Sequence, residues 1–339
     1  MDAKLIHTPR RSAGHLVVAR ALWYVKPGVA ELRTERLAVP RPGEARVKTL
    51  FSGLSRGTER LVAFGHVPQS EWTNMRAPLQ AGDFPFPVKY GYSATGVIVA
   101  GSDDLMGRTV FCLHPHQDYF HAPEAMLIPL PDAVPAKRAT LAANMETALN
   151  AHWDAGTGPG DKVLVIGAGI VGLLTAHLAK RIAGSHVTIT DIDPGRATHA
   201  AGLGLAFAPL AEAPRDNRLV FHTSATAAGL QGALDAAAFE GRIIDMSWYG
   251  TTPVSLQLGG AFHSKRLQLI SSQVGQVSPT RRATTTHRQR LIQALALLDD
   301  PALDNLVTEE VAFGDLPGQI SVLLGTSSNA LPPVIRYPD

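Results

Sequence analysis

The chain has 339 residues, a formal net charge of +2 and one cysteine, and 45% of its residues are hydrophobic. Its length exceeds that of one ordinary domain of ~100–200 residues, so we expect two domains. The single cysteine excludes an intrachain disulfide and a cysteine-built structural zinc site, and the small charge excess argues against a nucleic-acid partner. We predict a cytoplasmic protein without a membrane segment, because the N-terminus lacks an apolar signal core and no apolar run reaches the ~20 residues of a span.

Short apolar runs interrupted by glycine and proline fill the first part of the chain, up to about residue 125. They include HLVVARALWYV, EARVKTLFSG, YSATGVIVAG and GRTVFCLHP. Runs of this length, bounded by turn residues, are typical of an antiparallel, barrel-like β domain.

From about residue 139 onward, alanine-rich helical stretches alternate with short apolar strands, which is the pattern of a βαβ series. The predicted strands are KVLVIG (162–167), HVTIT (186–190), RLVFHT (218–223), GRIIDMS (241–247) and RLQLISS (266–272). The stretches PGRATHAAGLG and ATAAGLQGALDAAAF predict two of the helices between them. Beyond residue 274 we predict a helix over HRQRLIQALALLDD, and strands in NLVTEEVAF and the tail that return to the first domain.

A glycine motif follows the strand KVLVI and opens an apolar helix. In this G-x-G-x-x-G pattern Gly167 permits the tight turn, Gly169 lets a pyrophosphate approach the backbone, and Gly172 lets helix and strand pack closely. The helix start, which includes Ile170 and Val171, offers unsatisfied N–H groups to phosphates. The motif therefore predicts a dinucleotide site, whereas a ligand-free strand-to-helix turn is the alternative.

Asp191 ends the next predicted strand, 24 positions after Gly167. A carboxylate at this place accepts hydrogen bonds from the adenosine ribose and repels a 2′-phosphate, which favours NAD over NADP. Arg196, five residues further on, would lie against the adenine or weaken this preference, so NADP stays open; a solvated helix charge is the alternative.

These motifs resemble the medium-chain dehydrogenase/reductase superfamily, which is alcohol dehydrogenase-like. The resemblance rests on VKTLFSGLSRGTE, PVKYGYSATGVIVAG and METALNAHWDAGTGPGDKVLVIGAGIVG. SRGTE, VKYGYS, HPHQD, SWYG and SSQVG further resemble a smaller branch that includes the bacteriochlorophyllide a 2-desacetyl-2-hydroxyethyl dehydrogenases. The resemblance implies an α/β protein with a GroES-like catalytic domain (1–143 and 275–339), a Rossmann nucleotide-binding domain (144–274) and homodimers.

The chain departs from the zinc-dependent members of that superfamily at the metal-binding turns. The resemblance places Ser55 where a cysteine ligand would stand and Thr58 three residues on. Tyr92 and Ser93 stand for the metal-binding histidine and the glutamate after it, and a later ligand would fall in 142–146. Because hydroxyl groups are poor neutral ligands for Zn²⁺, we expect no zinc and no other metal.

Hydroxyl donors would then have to stabilise the oxyanion that zinc polarises in the relatives. Ser55, Thr58 and Tyr92 are the candidates, with Glu59 and Glu146 as alternative proton carriers. Each of the three hydroxyl residues also has a plain structural reading, as turn or packing residue.

Other residues complete the predicted site or compete with it. Thr147 resembles the family threonine beside the nicotinamide, and Met246, Ser247 and Trp248 end a strand at the edge where the nicotinamide would lie. Three histidines, His114, His116 and His121, lie close together in the sequence and are an alternative start to a metal site, although local clusters are expected among thirteen histidines.

Three functions remain open from the sequence. The first is a zinc-independent NAD(P)(H)-dependent oxidoreductase that moves a hydride between nicotinamide and a secondary alcohol or ketone on a bulky ring substrate. The second is a reductase of activated C=C bonds in enones or quinones, against which Asp191 argues modestly. The third is a nucleotide-binding regulatory protein without catalysis.

Overall fold

A computed structural model describes residues 16–325 and 330–338 of the protein. Its strands form three sheets, two in the β-rich part and one parallel sheet in the centre of the chain. The fold is therefore mixed α/β, as the sequence predicts.

The β-rich part consists of a four-stranded sheet and a seven-stranded sheet. Its elements are β1 (Val17–Lys26), β2 (Val29–Leu37), β3 (Glu44–Gly53), α1 (Arg56–Ala63), β4 (Ala81–Gly82), β5 (Val88–Lys89), β6 (Ala94–Ala100), β7 (Thr109–Cys112), β8 (Tyr119–Pro123), β9 (Ile128–Pro129) and α2 (Ala136–Ala139). Strand β3 runs through the larger sheet and pairs antiparallel with both β6 and β8, so it anchors the turn that carries Ser55.

The central part of the chain contributes a parallel sheet covered by helices. Its elements are α3 (Ala142–Ala155), β10 (Lys162–Ile166), α4 (Ile170–Lys180), β11 (His186–Thr190), α5 (Ala197–Gly202), β12 (Ala206–Phe207), β13 (Asn217–His222), α6 (Ala227–Ala236), β14 (Ala237–Asp245), α7 (Ala261–Ser264), β15 (Gln268–Ser271) and α8 (His287–Ala296). The strand order is β12-β11-β10-β13-β14-β15, the doubly wound order of dinucleotide-binding sheets.

Both faces of this sheet are buried, because successive residues of β10 and β13 alternate between two cores. Val163 and Val165 pack on the side of α3 and α4, whereas Leu164 and Ile166 pack on the side of α6. Such double burial explains why KVLVI is an uninterrupted apolar run.

The predicted helix over ATAAGLQGALDAAAF ends earlier than its composition suggests. Helix α6 stops at Ala236, and the chain continues directly into β14. Asn217 holds this junction, because its side-chain amide donates to the Ala236 carbonyl at 3.0 Å. Pairing with β13 thus overrides the helical propensity of the last alanines.

The predicted return of the chain's end to the β-rich part is confirmed. Strands β16 (Glu310–Ala312) and β17 (Val334–Arg336) pair with each other, and β17 pairs antiparallel with β3. Helix α9 (Leu316–Leu323) lies between them in the chain. The predicted domain boundaries stay predictions; the one at 143/144 falls in the first turn of α3.

Among the helices of the described residues, none is long and apolar enough to cross a membrane.

Candidate functional site

The glycine loop between β10 and α4 has the geometry that its three glycines predict. Gly167 has φ +107°, and a Cβ there would lie 2.7 Å from the Thr223 hydroxyl oxygen. A Cβ on Gly172 would overlap the Gly167 carbonyl oxygen, whereas one on Gly169 would meet nothing within 4 Å. The loop is therefore tightly packed at Gly167 and Gly172 and open at Gly169, which is the arrangement that a bound pyrophosphate requires.

Helix α4 begins at this open side, with Gly169 at its N-cap and no side chain capping it. The first-turn N–H groups, including those of Ile170 and Val171, have no intrahelical partner and carry partial positive charge. This end of the helix fits a phosphate group.

Asp191 lies directly after β11 and holds the glycine loop. One carboxylate oxygen accepts the Ala168 N–H at 2.6 Å, and the other accepts the Asp193 N–H at 3.0 Å. Because a carboxylate has about four acceptor positions, Asp191 retains acceptors for the ribose hydroxyls of a nucleotide.

Arg196 is 8% exposed and pairs with Asp193, with 3.6 Å between Nε and the carboxylate. Its Nη2 donates to the Ala330 carbonyl at 3.4 Å, and Arg56 donates to the same carbonyl at 3.1 Å. Within the described residues Nη1 of Arg196 is buried without a hydrogen-bond partner. Two guanidinium groups near the open loop, one with an unsatisfied donor, fit an anionic cofactor.

The remaining predicted cofactor residues occupy nearby positions. Thr147, on α3, donates its hydroxyl to the Ala143 carbonyl at 3.0 Å. Met246 and Ser247 follow β14, and the Met246 N–H donates to the His222 carbonyl at 2.9 Å. Met246 and Ser247 therefore lie at the same sheet edge as the end of β13, whereas Thr147 approaches from α3.

Three of the predicted catalytic residues converge. Ser55 precedes α1, Thr58 lies in its first turn, and the hydroxyls of both lie close enough to that of Tyr92 to lower its pKa. Burial has the larger effect and raises the pKa of Tyr92 to about 12. Tyr92 is thus a protonated donor at neutral pH.

Beneath these hydroxyls lies a fully buried polar pair, Glu59 and His116, whose side chains are both 0% exposed. His116 Nε2 lies 2.9 Å from one Glu59 oxygen, which also accepts the Tyr24 hydroxyl at 3.0 Å. The other Glu59 oxygen accepts the Ser55 N–H at 2.7 Å. Because a carboxylate only accepts, Nε2 of His116 carries the proton.

His116 extends this network and supports the turn of Tyr92. Its Nδ1 lies 2.8 Å from the Ser52 hydroxyl, which is 2.9 Å from the Tyr337 hydroxyl. A Cβ on Gly91 would lie 3.0 Å from the His116 ring, so the ring packs directly against the Gly91 backbone. The pair therefore links the Ser55 turn to the Tyr92 turn. Sequence spacing gives no signal for the central contact of this link, because Glu59 and His116 are 57 positions apart.

The three histidines of the alternative metal site are directed to different partners. His114 stacks on Phe120 with ring centroids 3.8 Å apart, and burial lowers its pKa to about 3. His121 accepts a hydrogen bond from Arg46 at 3.1 Å. His114 and His116 lie between β7 and β8 rather than on a strand, so they are not two neighbours on one face of a strand. No group of three or more His, Cys, Asp or Glu side chains in the described part of the chain is arranged to hold a metal.

Glu146 lies apart from the hydroxyl cluster. Its carboxylate pairs with Arg290 of α8 at 3.0 Å, and both side chains are buried. Burial raises the pKa of Glu146, and the Arg290 charge opposes that rise. Among the described residues, Arg290 rather than Ser55, Thr58 or Tyr92 is the partner of this carboxylate.

The residues at the metal-equivalent turns do not fit a catalytic zinc ion. Ser55 and Tyr92 supply neutral hydroxyl oxygens, and Glu146 is occupied by Arg290. Zinc in proteins prefers thiolate, imidazole and carboxylate ligands. The donor set is suited to hydrogen bonding instead.

Comparison with known proteins gives relatives of one kind. No protein-family model matches the chain. D-xylulose reductase A of Aspergillus niger is 29% identical over 149 residues, which cover 42% of each chain, so less than half of that relative is matched. The 2-desacetyl-2-hydroxyethyl bacteriochlorophyllide A dehydrogenase of Cereibacter sphaeroides is 27% identical over 251 residues, covering 68% of this chain and 74% of that one.

Solved structures share the fold over nearly the whole chain. The alcohol dehydrogenase rspB of Escherichia coli CFT073, complexed with NADH, has a TM-score of 0.74 at 17% identity and covers 94% of this chain and 99% of its own. A protein of Sinorhizobium meliloti 1021 described as a zinc-binding dehydrogenase, bound to NADP, has a TM-score of 0.75 at 15% identity with the same coverage.

The relatives are dehydrogenases and reductases of the medium-chain alcohol dehydrogenase type, and two of the structural neighbours hold a nicotinamide cofactor. The GroES-like and Rossmann fold that the resemblance implies is confirmed. The chain thus has an alcohol dehydrogenase-like, medium-chain dehydrogenase fold.

Proposed function

We propose that the protein transfers a hydride between NAD(H) and a secondary alcohol or ketone without zinc. The observation that carries the proposal is that the hydroxyls of Ser55, Thr58 and Tyr92 lie close together, at the turns where the resemblance expects metal ligands. A nicotinamide cofactor, when bound, supplies or accepts the hydride. The glycine loop, the start of α4 and Asp191 would hold it.

Tyr92 acts as the proton donor in the reductive direction. With a pKa raised to about 12 by burial, the hydroxyl keeps its proton at neutral pH and can hydrogen-bond to a substrate carbonyl oxygen. As negative charge develops on that oxygen, Tyr92 delivers its proton, and the hydroxyls of Ser55 and Thr58 stabilise the tyrosinate. Because Tyr92 is protonated near pH 7, little of the tyrosinate that the oxidative direction would use as a base is present at that pH.

Glu59 and His116 position this donor rather than touch the substrate. Both are fully buried, Glu59 fixes the Ser55 backbone, and His116 supports Gly91 beside Tyr92. In zinc-dependent enzymes a metal joins the two turns; here a hydrogen-bonded pair performs that linking role. We therefore propose that zinc is not needed because two groups of residues replace it. The Glu59–His116 pair takes its structural role, and the hydroxyl groups take its polarising role.

The preference for NAD over NADP rests on Asp191. A carboxylate among the ribose acceptors repels a 2′-phosphate. Arg196, with one unsatisfied buried N–H group, moderates that repulsion, so we expect a preference for NAD with measurable use of NADP.

For the substrate we propose a carbonyl or alcohol carried on a bulky ring. Trp248 follows Ser247 in the chain, is half-buried and packs against the core that contains Tyr90. A flat aromatic surface at this edge suits a ring-bearing substrate, and the bacteriochlorophyllide dehydrogenase acts on such a ring. We also propose that the protein is cytoplasmic, because its single cysteine is buried and free of a disulfide, as is usual in a reducing compartment.

Metal analysis of the purified protein, paired with NADH and NADPH titration by fluorescence, tests the proposal. Zinc well below one equivalent per chain, together with NADH binding and turnover of a ketone, is the expected result. Stoichiometric zinc, with turnover lost on chelation, would overturn the hydroxyl mechanism. A screen of ketones beside enones separates carbonyl reduction from C=C reduction, and NADH binding without any turnover would favour the non-catalytic alternative.

A further inference from the structure

A second constellation of reactive side chains lies at the carboxyl ends of β13 and β14. The Ser224 hydroxyl oxygen is 2.8 Å from Nε2 of His222, and Nδ1 of His222 is 3.0 Å from the Asp245 carboxylate. His222 is fully buried and Ser224 is half-buried. The hydride-transfer mechanism uses none of the three as a proton carrier.

The contacts define the tautomer of His222. The Asp245 carboxylate can only accept, so Nδ1 of His222 carries the proton and Nε2 is left to accept the Ser224 hydroxyl proton. Asp245 is itself held in place, because it accepts the Tyr249 hydroxyl at 3.0 Å and the Ser247 N–H at 3.1 Å. A serine, a histidine base and an oriented carboxylate are the parts of a nucleophilic triad.

The backbone presents the serine at a sharp corner between strand and helix. Ala225, directly after Ser224, has φ +52°, a left-handed conformation that residues other than glycine rarely adopt. Thr226 caps α6, and its hydroxyl lies 3.0 Å from that of Ser224. A Cβ on Gly229 would overlap the Ser224 hydroxyl oxygen, so the glycine leaves room for that hydroxyl.

Donors for a developing oxyanion lie at the same corner. The Gly229 N–H is taken by the Thr226 hydroxyl, and the Ala225 N–H is taken by the Ser247 hydroxyl. Ala227 and Ala228 are exposed, and their N–H groups precede the first intrahelical bond of α6. These two N–H groups are therefore left as donors at the positive end of the helix.

We propose that Ser224, His222 and Asp245 form a second reactive site, at which Ser224 takes the acyl group of small activated esters. Ser224 Oγ bonds to the ester carbonyl carbon while its proton passes to Nε2 of His222. The bond to the leaving alcohol breaks, and that alcohol takes the proton. Water then adds to the acyl carbon, passes one proton through His222 back to Ser224, and releases the carboxylic acid.

A fluorophosphonate probe tests the site in the full-length protein. We expect one covalent adduct per chain by intact mass, located on Ser224 by peptide mapping, and a burst of nitrophenol from p-nitrophenyl acetate. Ser224→Ala should abolish both. His222→Gln should slow labelling by about 100-fold or more, the contribution of a general base.

Heat-denatured protein serves as the control for non-specific acylation, and circular dichroism verifies that each variant is folded. Absence of an adduct, an adduct on another residue, or equal labelling of native and denatured protein would overturn the proposal. Because NADH binding and ketone turnover are measured separately, failure of this site leaves the hydride-transfer proposal standing, and the reverse also holds.

Discussion

At the scale of single residues, Tyr92 is the proton donor of the proposed mechanism. Its hydroxyl lies near those of Ser55 and Thr58, and burial raises its pKa to about 12. At neutral pH it therefore carries the proton that a carbonyl oxygen would accept. Its ring meets Tyr90 edge-on, with centroids 5.9 Å apart, so the two tyrosines form a matched pair for mutagenesis.

Tyr92→Phe should lower kcat for ketone reduction by about 100-fold and change NADH affinity little, because a general acid contributes 10²–10⁴-fold to rate. Stopped-flow hydride transfer and NADH fluorescence measure the two effects. With a Tyr92 pKa of about 12, ionisation of this residue should cause no loss of reductive rate from about pH 6 to pH 9. Tyr90→Phe is the control; equal losses in both variants would make Tyr92 a packing residue.

Asp191→Ala should weaken NADH binding about tenfold or more and narrow the ratio of NADH to NADPH affinity, since hydrogen bonds to a charged group contribute about 1.5–3 kcal/mol. Titration of both cofactors gives the ratio. Asp193→Ala, in the same loop, is the comparison variant. It removes a different carboxylate, which caps a short helix by accepting the Gly195 N–H at 2.9 Å. An unchanged ratio in Asp191→Ala would remove Asp191 from cofactor selection.

At the scale of elements, α3 and α8 are joined by a buried charged network. Arg290 is 1% exposed and binds Glu146 at 3.0 Å and Asn150 at 2.6 Å. It also donates to the Gln276 carbonyl at 3.0 Å, in the loop before α8. The arginine-rich start of α8 thus contains a fully enclosed guanidinium group.

Glu146→Gln should destabilise the protein by about 3–5 kcal/mol, because it leaves the Arg290 charge buried without its counter-charge. Thermal or denaturant unfolding measures the change. Glu310→Gln is the control. It removes a carboxylate charge from a partly exposed ion pair, 2.7 Å from Lys137, and should lower the free energy of unfolding by about 1 kcal/mol or less. Unaltered stability with a large fall in kcat would instead return Glu146 to the catalytic residues.

At the scale of the whole molecule, the nucleotide sheet ends in an uncovered edge. Strand β15 is the last in the strand order, and Leu269 within it is 40% exposed. Phe239, on the neighbouring strand β14, is 65% exposed. An edge strand with exposed apolar side chains is prone to pair with another chain, and we propose that a second copy of this protein pairs there.

If the wild type forms the proposed dimer, Leu269→Lys should convert it into monomers, because a charge on the edge strand opposes pairing. Light scattering after size exclusion gives the mass of each species. Ile292→Lys, at a 44% exposed position of α8, is the matched control and should remain dimeric. A monomeric wild type, or a dimeric Leu269→Lys variant, would contradict this interface.

Prediction from sequence succeeded where a function depends on neighbouring residues. The steric demands of Gly167 and Gly172 follow from their spacing, and the structure meets them. It was incomplete where distant segments meet: His116 was grouped with its sequence neighbours, yet its partners are Glu59 and Ser52. Glu146 was grouped with the proton carriers, yet its partner lies 144 positions away.

The sequence by itself determined the α/β class, the parallel sheet and the glycine loop, and it placed Ser55 and Tyr92 at the turns where the resemblance expects metal ligands. These properties follow from local periodicity and residue type, which need no knowledge of long-range contacts. Only the tertiary structure decided that Tyr92 meets Ser55 and Thr58, that Glu59 and His116 are enclosed beneath them, and that His222 joins Ser224 to Asp245. Those contacts exist because β3, α1, β13 and β14 are brought together by burial of their apolar faces, a cooperative property of the folded chain.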